Sequence, residues 1–305
     1  MSRSTHGAGA GPRALLVLLV LAGVVAAGTL LVGSWSSTAL PRPGAPASPA
    51  AVATSPGLVP TGSAGRSTGQ GATASAASPA PTAPSPAPVT VVGLGDSVMS
   101  GASCDCDGIV AEYARELQVA GHRPVAGVNL GVPGDTSADL LDLLNADART
   151  RSAVASADVV LVTIGANDLL PQLARWQQGS CDASCYTPAV QRLRARLADV
   201  VAAVERLRAG GPVTVLVTDY WHVFTDGDVG RATGGERQLL WSQEVTAAAN
   251  RAICQAATSG SAHCVDLTAA FRVGAAGDPT SLLADDGDHP NAAGVRVIAR
   301  ALVAA

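Results

Sequence analysis

The stretch Val89-Thr90-Val91-Val92-Gly93-Leu94-Gly95-Asp96-Ser97 decides how the chain is read. Its first six residues are apolar, β-branched or glycine, with no polar–apolar alternation, and a Gly-Asp-Ser turn stops them. An unalternating run of this length is what a strand covered on both faces requires.

The pattern recurs outward from it. Pro124–Leu130, Asp158–Ile164, Val213–Thr218 and His263–Leu267 read as four further strands. Helical stretches fall between and after them, near Gly108–Val119, Ala138–Asn145, Pro188–Ala209, Glu236–Ala257 and Asn291–Val303. In the longest, Val190, Leu193, Leu197, Val200, Val204 and Leu207 step by three or four and mark its apolar stripe. Its arginines (Arg192, Arg194, Arg196, Arg206, Arg208) lie mostly off the stripe and read as a solvated face. Strands alternating with helices imply right-handed crossovers and a parallel sheet between helical layers. The expectation is an α/β protein, a three-layer α/β/α sandwich on a mainly parallel five-stranded sheet. Its functional residues then belong in loops beyond the carboxyl ends of the strands.

By size, residues 89–305 make one domain. Ahead of it, Ala14 to Gly33 is a run of Ala, Leu, Val and Gly broken only by Thr29, preceded by Arg3 and Arg13. A helix of this length covers about 30 Å, and the positive flank keeps the N-terminus cytoplasmic. Residues 1–33 therefore read as a cytoplasmic stub with a signal peptide or a transmembrane anchor. The Val25-Ala26-Ala27 site suits cleavage and the full length suits retention, so both stay open. Residues 34–88 carry eleven of the 19 prolines and only Arg42 and Arg66 as charges. Such a segment buries too little apolar surface to offset its chain entropy and reads as a disordered linker. The domain is thus expected outside the cell or at its surface, with membrane contact only through the N-terminal segment.

Charge and cysteines point the same way. All 20 basic residues are arginines, and every one of the 24 acids lies at or after Asp96, so the domain is acidic and no nucleic-acid partner is expected. Six cysteines in an exported chain suggest disulfides, with Cys181–Cys185, Cys254–Cys264 and Cys104–Cys106 the preferred pairs. A zinc site is the rival, but the ligand spacings with partnering histidines are missing, so no metal is expected.

Four short segments sit at strand ends or before the last helix: Gly95-Asp96-Ser97, Asn129 to Thr136, Gly165-Ala166-Asn167-Asp168, and Asp285-Asp286-Gly287-Asp288-His289-Pro290-Asn291. Each has an ordinary reading alone: a helix cap, an Asx turn, a calcium loop lacking the twelve-residue pattern, a proline starting a helix. Together they fall on one edge of the sheet. In these blocks, in this order, the chain resembles the SGNH/GDSL hydrolase family. That resemblance implies the flavodoxin-like SGNH fold, with Ser97 as nucleophile, His289 as base and Asp286 as its orienting acid. Asp285 and Asp288 compete for the last role, and the family spacing selects Asp286. The resemblance further implies an oxyanion hole of the Ser97 and Gly134 backbone N–H groups with the Asn167 side-chain amide. The chemistry fits: a serine hydroxyl needs a base to become nucleophilic, and the tetrahedral intermediate needs fixed donors. Asp96 and Asp168 read as residues that order their loops by bonding local backbone groups.

The expected function is an exported serine esterase acting on a small-molecule, glycan or lipid ester through an acyl-enzyme, with no cofactor and as a monomer. Acyl transfer from the same intermediate and a catalytically silent surface-binding module are the alternatives. Short acyl groups are expected, because no long apolar lid segment stands out. His122, His222 and His263 have no partner spacing. Trp176, Trp221, Trp241, Tyr220 and Phe224 line a pocket or pack the core, and the polar, Gly-containing segments 169–187 and 220–235 read as loops at the substrate rim.

Overall fold

The computed structural model describes residues 87–121, 123–272 and 277–305. The N-terminal segment 1–33, the linker up to residue 86 and His122 lie outside the described residues. Among the described residues, no helix is long and apolar enough to cross a membrane.

In chain order the elements are β1 (Val89–Gly95), α1 (Ser97–Ser100), α2 (Gly108–Gly121), β2 (Val125–Asn129), α3 (Ser137–Ala146), α4 (Ala148–Ser156), β3 (Val159–Thr163), α5 (Ala166–Gln177), α6 (Ala183–Leu207), β4 (Thr214–Thr218), α7 (Gly227–Thr233), α8 (Gly235–Ser259), β5 (His263–Val265) and α9 (Ala292–Ala304). The five strands form one parallel sheet in the order β2-β1-β3-β4-β5. The strand order reverses between β1 and β3, which opens a crevice beyond their carboxyl ends where ligands of such sheets bind. β3 is buried along its whole length. Helices α2 and α9 pack together on one side of the sheet, while α3, α4 and α8 pack on α6 on the other.

Helices α4 to α7 depart from the sequence expectation. Segment 169–187 is not a loop: α5 fills its first part up to Gln177, and α6 begins at Ala183, earlier than the expected Pro188. The Asp182 side chain caps α6 by accepting from the Ser184 N–H, and Pro188 sits inside the helix. Segment 220–235 likewise contains α7. A further helix, α4, is capped by Asp147 and buries only Thr150 and Val154. The six cysteines form disulfides Cys104–Cys106, Cys181–Cys185 and Cys254–Cys264, with Cα–Cα separations of 5.2, 5.0 and 5.1 Å.

Candidate active site

The turn after β1 is pinned by sterics. Gly95 has φ +146°, and a Cβ there would lie 1.9 Å from the Thr163 carbonyl oxygen, so only glycine lets β1 leave the sheet against β3. The Asp96 N–H donates to that same carbonyl at 3.1 Å. The Asp96 carboxylate then caps α1, accepting from the Val98 N–H at 3.0 Å, which places half-buried Ser97 at the start of the helix.

The loop before α9 is held as firmly. Asn291 caps α9 by accepting from the Ala293 and Gly294 N–H groups. Leu283 and Pro290 form an antiparallel bridge, and the Ala284 N–H donates to the His289 carbonyl at 2.8 Å. The Gly287 N–H donates to the Ala284 carbonyl, and the Gly287 carbonyl accepts from the Asp226 N–H at 2.7 Å, which ties the loop to the chain leaving β4.

These two loops bring Ser97 and His289 together across 192 positions of sequence, with Oγ 2.8 Å from Nε2. On the far side of the ring, Nδ1 lies 2.8 Å from the Asp286 carboxylate. An acceptor-only carboxylate there fixes the neutral imidazole with its proton on Nδ1, leaving Nε2 free to accept from the hydroxyl. Burial opposes charge on Asp286. Hydrogen bonds from the His289 and Asp288 backbone N–H groups, the Ser103 side chain and the His289 ring outweigh it and hold the pKa well below the usual carboxylate range. Asp288 is pushed up, chiefly by burial. Asp285 lies at the exposed end of the loop. Of the three acids, Asp286 is the one hydrogen-bonded to the ring.

The expected oxyanion donors other than the Ser97 N–H lie on two further loops that touch. The Asn167 side-chain amide donates to the Asp135 carbonyl at 2.9 Å, next in sequence to Gly134, whose φ is +89°. Asp168 joins the same loops, but not through local groups as expected. Its carboxylate accepts from the Ser137 N–H at 2.8 Å and the Ser137 hydroxyl at 2.6 Å, 31 residues away at the start of α3. Asp96 does bond locally, and it also has a distant partner that sequence reasoning missed: the Tyr220 phenol donates to its second oxygen at 2.6 Å. Burial pushes Asp96 up to about 6 against the pull of that phenol and of the Val98 N–H.

Most of the aromatic residues pack the core, while Trp176 and Trp221 also each border a surface cavity. Tyr220, Trp221, Phe224 and Trp241 are buried; Trp221 stacks on Phe271 at 4.2 Å, and Trp241 lies between Phe224 and Trp176. His222 is buried with Nδ1 3.1 Å from the Phe224 carbonyl, and His263 is exposed on β5. Among the described residues, no group of three or more His, Cys, Asp or Glu could hold a metal ion.

The GDSL-like Lipase/Acylhydrolase family matches residues 94–297, which contain all four loops. The chain belongs to this family. It is a GDSL hydrolase, and with that a serine ester hydrolase of the carboxylic ester class. Two solved structures share its fold. The lipase Lip_vut3 from a goat rumen metagenome is 19% identical with a TM-score of 0.58, covering 71% of this chain and 96% of that one. A putative GDSL-like lipase from Parabacteroides merdae is 16% identical with a TM-score of 0.52, covering 71% and 94%. No curated protein matches the chain. In this GDSL hydrolase, then, two loops at one edge of a parallel sheet hold a hydroxyl, an imidazole and a carboxylate in one hydrogen-bonded row, and two more join the Asn167 amide to the residue after Gly134.

Proposed function

We propose that this GDSL hydrolase is an exported esterase that cleaves short-chain carboxylic esters through an acyl-enzyme. The observation that carries the reading is the continuous path from Ser97 Oγ through His289 to Asp286, with both links at 2.8 Å. Ser97 Oγ attacks the ester carbonyl as its proton passes to His289 Nε2. Asp286 stabilises the imidazolium that results, offsetting the cost of a cation just ahead of the α9 N-terminus. The Ser97 and Gly134 backbone N–H groups and the Asn167 amide take the oxyanion. Collapse of the intermediate expels the alcohol with the proton from His289, and water then enters by the same route to release the acid.

The preference for short acyl groups is supported by the surface. Among the described residues, the exposed large hydrophobics are Val119, Leu170 and Leu240 on three separate helices and Val132 in the loop before α3, so they do not form one extended apolar tract for a long chain. Export is supported by the apolar run Ala14–Gly33 with its arginine flank and by six paired cysteines. Residues 34–88 then tether the domain, and its substrates are lipid esters or acylated glycans at or outside the envelope.

A fluorophosphonate probe tests the chemistry: it labels the native protein and fails on Ser97→Ala. Nitrophenyl esters of graded length test the substrate, with rates highest at two to four carbons expected from the absence of an apolar tract. Labelling that survives in Ser97→Ala, or rates that climb steadily with chain length, overturns the corresponding half of the proposal.

A further inference from the structure

Asp96 and Tyr220 are each 1% exposed, and they meet where three strands leave the sheet. Tyr220 follows β4, Asp96 follows β1, and Ala166 opens α5 after β3. The Tyr220 phenol donates to Asp96 at 2.6 Å, while its oxygen accepts from the Ala166 N–H at 3.4 Å. Asp96 immediately precedes Ser97, and Ala166 immediately precedes Asn167. One hydroxyl therefore joins the turn that carries the proposed nucleophile to the loop that carries the proposed oxyanion amide.

We propose that Tyr220 is a positioning residue for ester hydrolysis, acting through Asp96: its hydroxyl holds the Asp96 carboxylate that caps the Ser97 turn and locks that turn to the loop carrying Asn167. This rests on the reading of Ser97, His289 and Asp286 given above and adds a second acid to it. Burial favours the neutral form of Asp96 and Asp288 repels its charge, while Tyr220, the Val98 N–H and His289 favour the ionised form. Tyr220 itself is buried beside Asp96 and faces Asp168, which keeps the phenol protonated well above its ordinary range. It is thus a constant donor, and Asp96 is the member of the pair that titrates. Protonated Asp96 loses the charge that faces His289 as the imidazolium forms, and it holds the Val98 N–H more weakly.

The test is the pH dependence of kcat and KM for a short-chain nitrophenyl ester. Tyr220→Phe keeps the ring and removes the donor. Losing a hydrogen bond to a buried charged group raises the carboxylate pKa by about one to two units. The acid limb of kcat is expected to move up by that amount, leaving the variant with about a tenth of the wild-type rate near pH 6.5 and a rate within a few-fold at pH 9. KM stays unchanged. In an Asp96→Asn background, where the amide oxygen still caps Val98, Tyr220→Phe no longer moves the limb. Asp96→Asn alone gives a second reading that does not depend on Tyr220→Phe folding: the limb steepens toward two protons in the wild type and falls to one in this variant. A loss equal at all pH values, a limb shift that persists without Asp96, or one-proton slopes in both proteins overturns the proposal. Failure of the underlying catalytic reading is distinct, since there Ser97→Ala would keep its activity.

Discussion

Replacing Asp286 by asparagine changes one atom and reverses one hydrogen bond. In the native loop, one carboxylate oxygen accepts from the Asp288 and His289 backbone N–H groups at 3.0 and 2.9 Å, and the other faces His289 Nδ1. Asparagine keeps its carbonyl oxygen on the two backbone donors, because an amide NH2 placed there would oppose both of them. The NH2 must then face Nδ1, which can only meet it by accepting. That moves the ring proton to Nε2, the nitrogen 2.8 Å from Ser97 Oγ, and the base becomes a donor. The expected loss in kcat is about 10⁴-fold, equivalent to about 5.4 kcal/mol, as in the comparable substitution of a serine-protease triad. Asp286→Ala should be milder. The site is 38% exposed, so water can enter where the carboxylate stood and accept from Nδ1. The assay is kcat for nitrophenyl acetate on protein counted by active-site titration, with melting temperature measured alongside. An Asp286→Asn enzyme that keeps more than a tenth of native kcat, or that outperforms Asp286→Ala, would refute the tautomer argument.

On the proposed roles, Asn167→Ala removes one oxyanion donor and should lower kcat by about 10²- to 10³-fold, with KM little changed; an effect confined to KM would assign the amide to substrate binding instead. Gly95→Ala puts a methyl 1.9 Å from a backbone carbonyl at φ +146°, so the variant should fail to fold or melt far below the native protein, and a near-native melting temperature contradicts the β1 exit geometry. Stability should peak in mild acid. Asp96 and Asp219 are buried, and burial pushes them up to about 6 and about 7, so between pH 4 and 7 the unfolded chain loses protons that the folded one retains. Stability then falls as pH rises through that window, by on the order of 3 kcal/mol per group; calorimetry showing a melting temperature that rises from pH 5 to 8 would count against this.

What the sequence revealed and concealed follows from periodicity. Strands buried on both faces leave unbroken apolar runs, so β1 and β3 are visible without any partner, and the long stripe from Val190 to Leu207 announces α6. Helix α5 had a stripe too, since Leu169, Gln172, Leu173 and Trp176 are spaced by three and four and face the core, but Pro171 within it reads as a break. Helix α4 has almost no apolar face, and α7 is seven residues containing two glycines, so neither offers a period to detect. The loops of the site were legible because each uses short-range chemistry: a glycine, a capping acid, a proline. Ser137 with Asp168, and Tyr220 with Asp96, were not, because a pair 31 or 124 residues apart leaves no spacing to recognise. A buried carboxylate demands a partner, and the sequence offers no rule for which of several polar residues supplies it.

The three acids that pin these loops cannot exchange roles, and their surroundings say why. Asp286 lies at a partly exposed loop and collects two backbone N–H groups and the imidazole, so it remains an anion across the whole range in which an esterase works. Asp96 is sealed under the sheet edge with one N–H and one phenol, and burial leaves its charge conditional on that phenol. Asp168 is anchored by both donor groups of Ser137, with Arg196 at 3.5 Å, which fixes it to the loop beside Gly134 and not to the imidazole. In the proposed mechanism the permanent anion sits beside the base, where a cation forms in every turnover. The conditional one sits next to the proposed nucleophile, where the proposal expects its loss to be felt as acid inactivation. On that proposal the acid limb of the pH profile reports on Asp96 and not on Asp286, and no substitution at Asp286 should move the limb in the direction that Tyr220→Phe does.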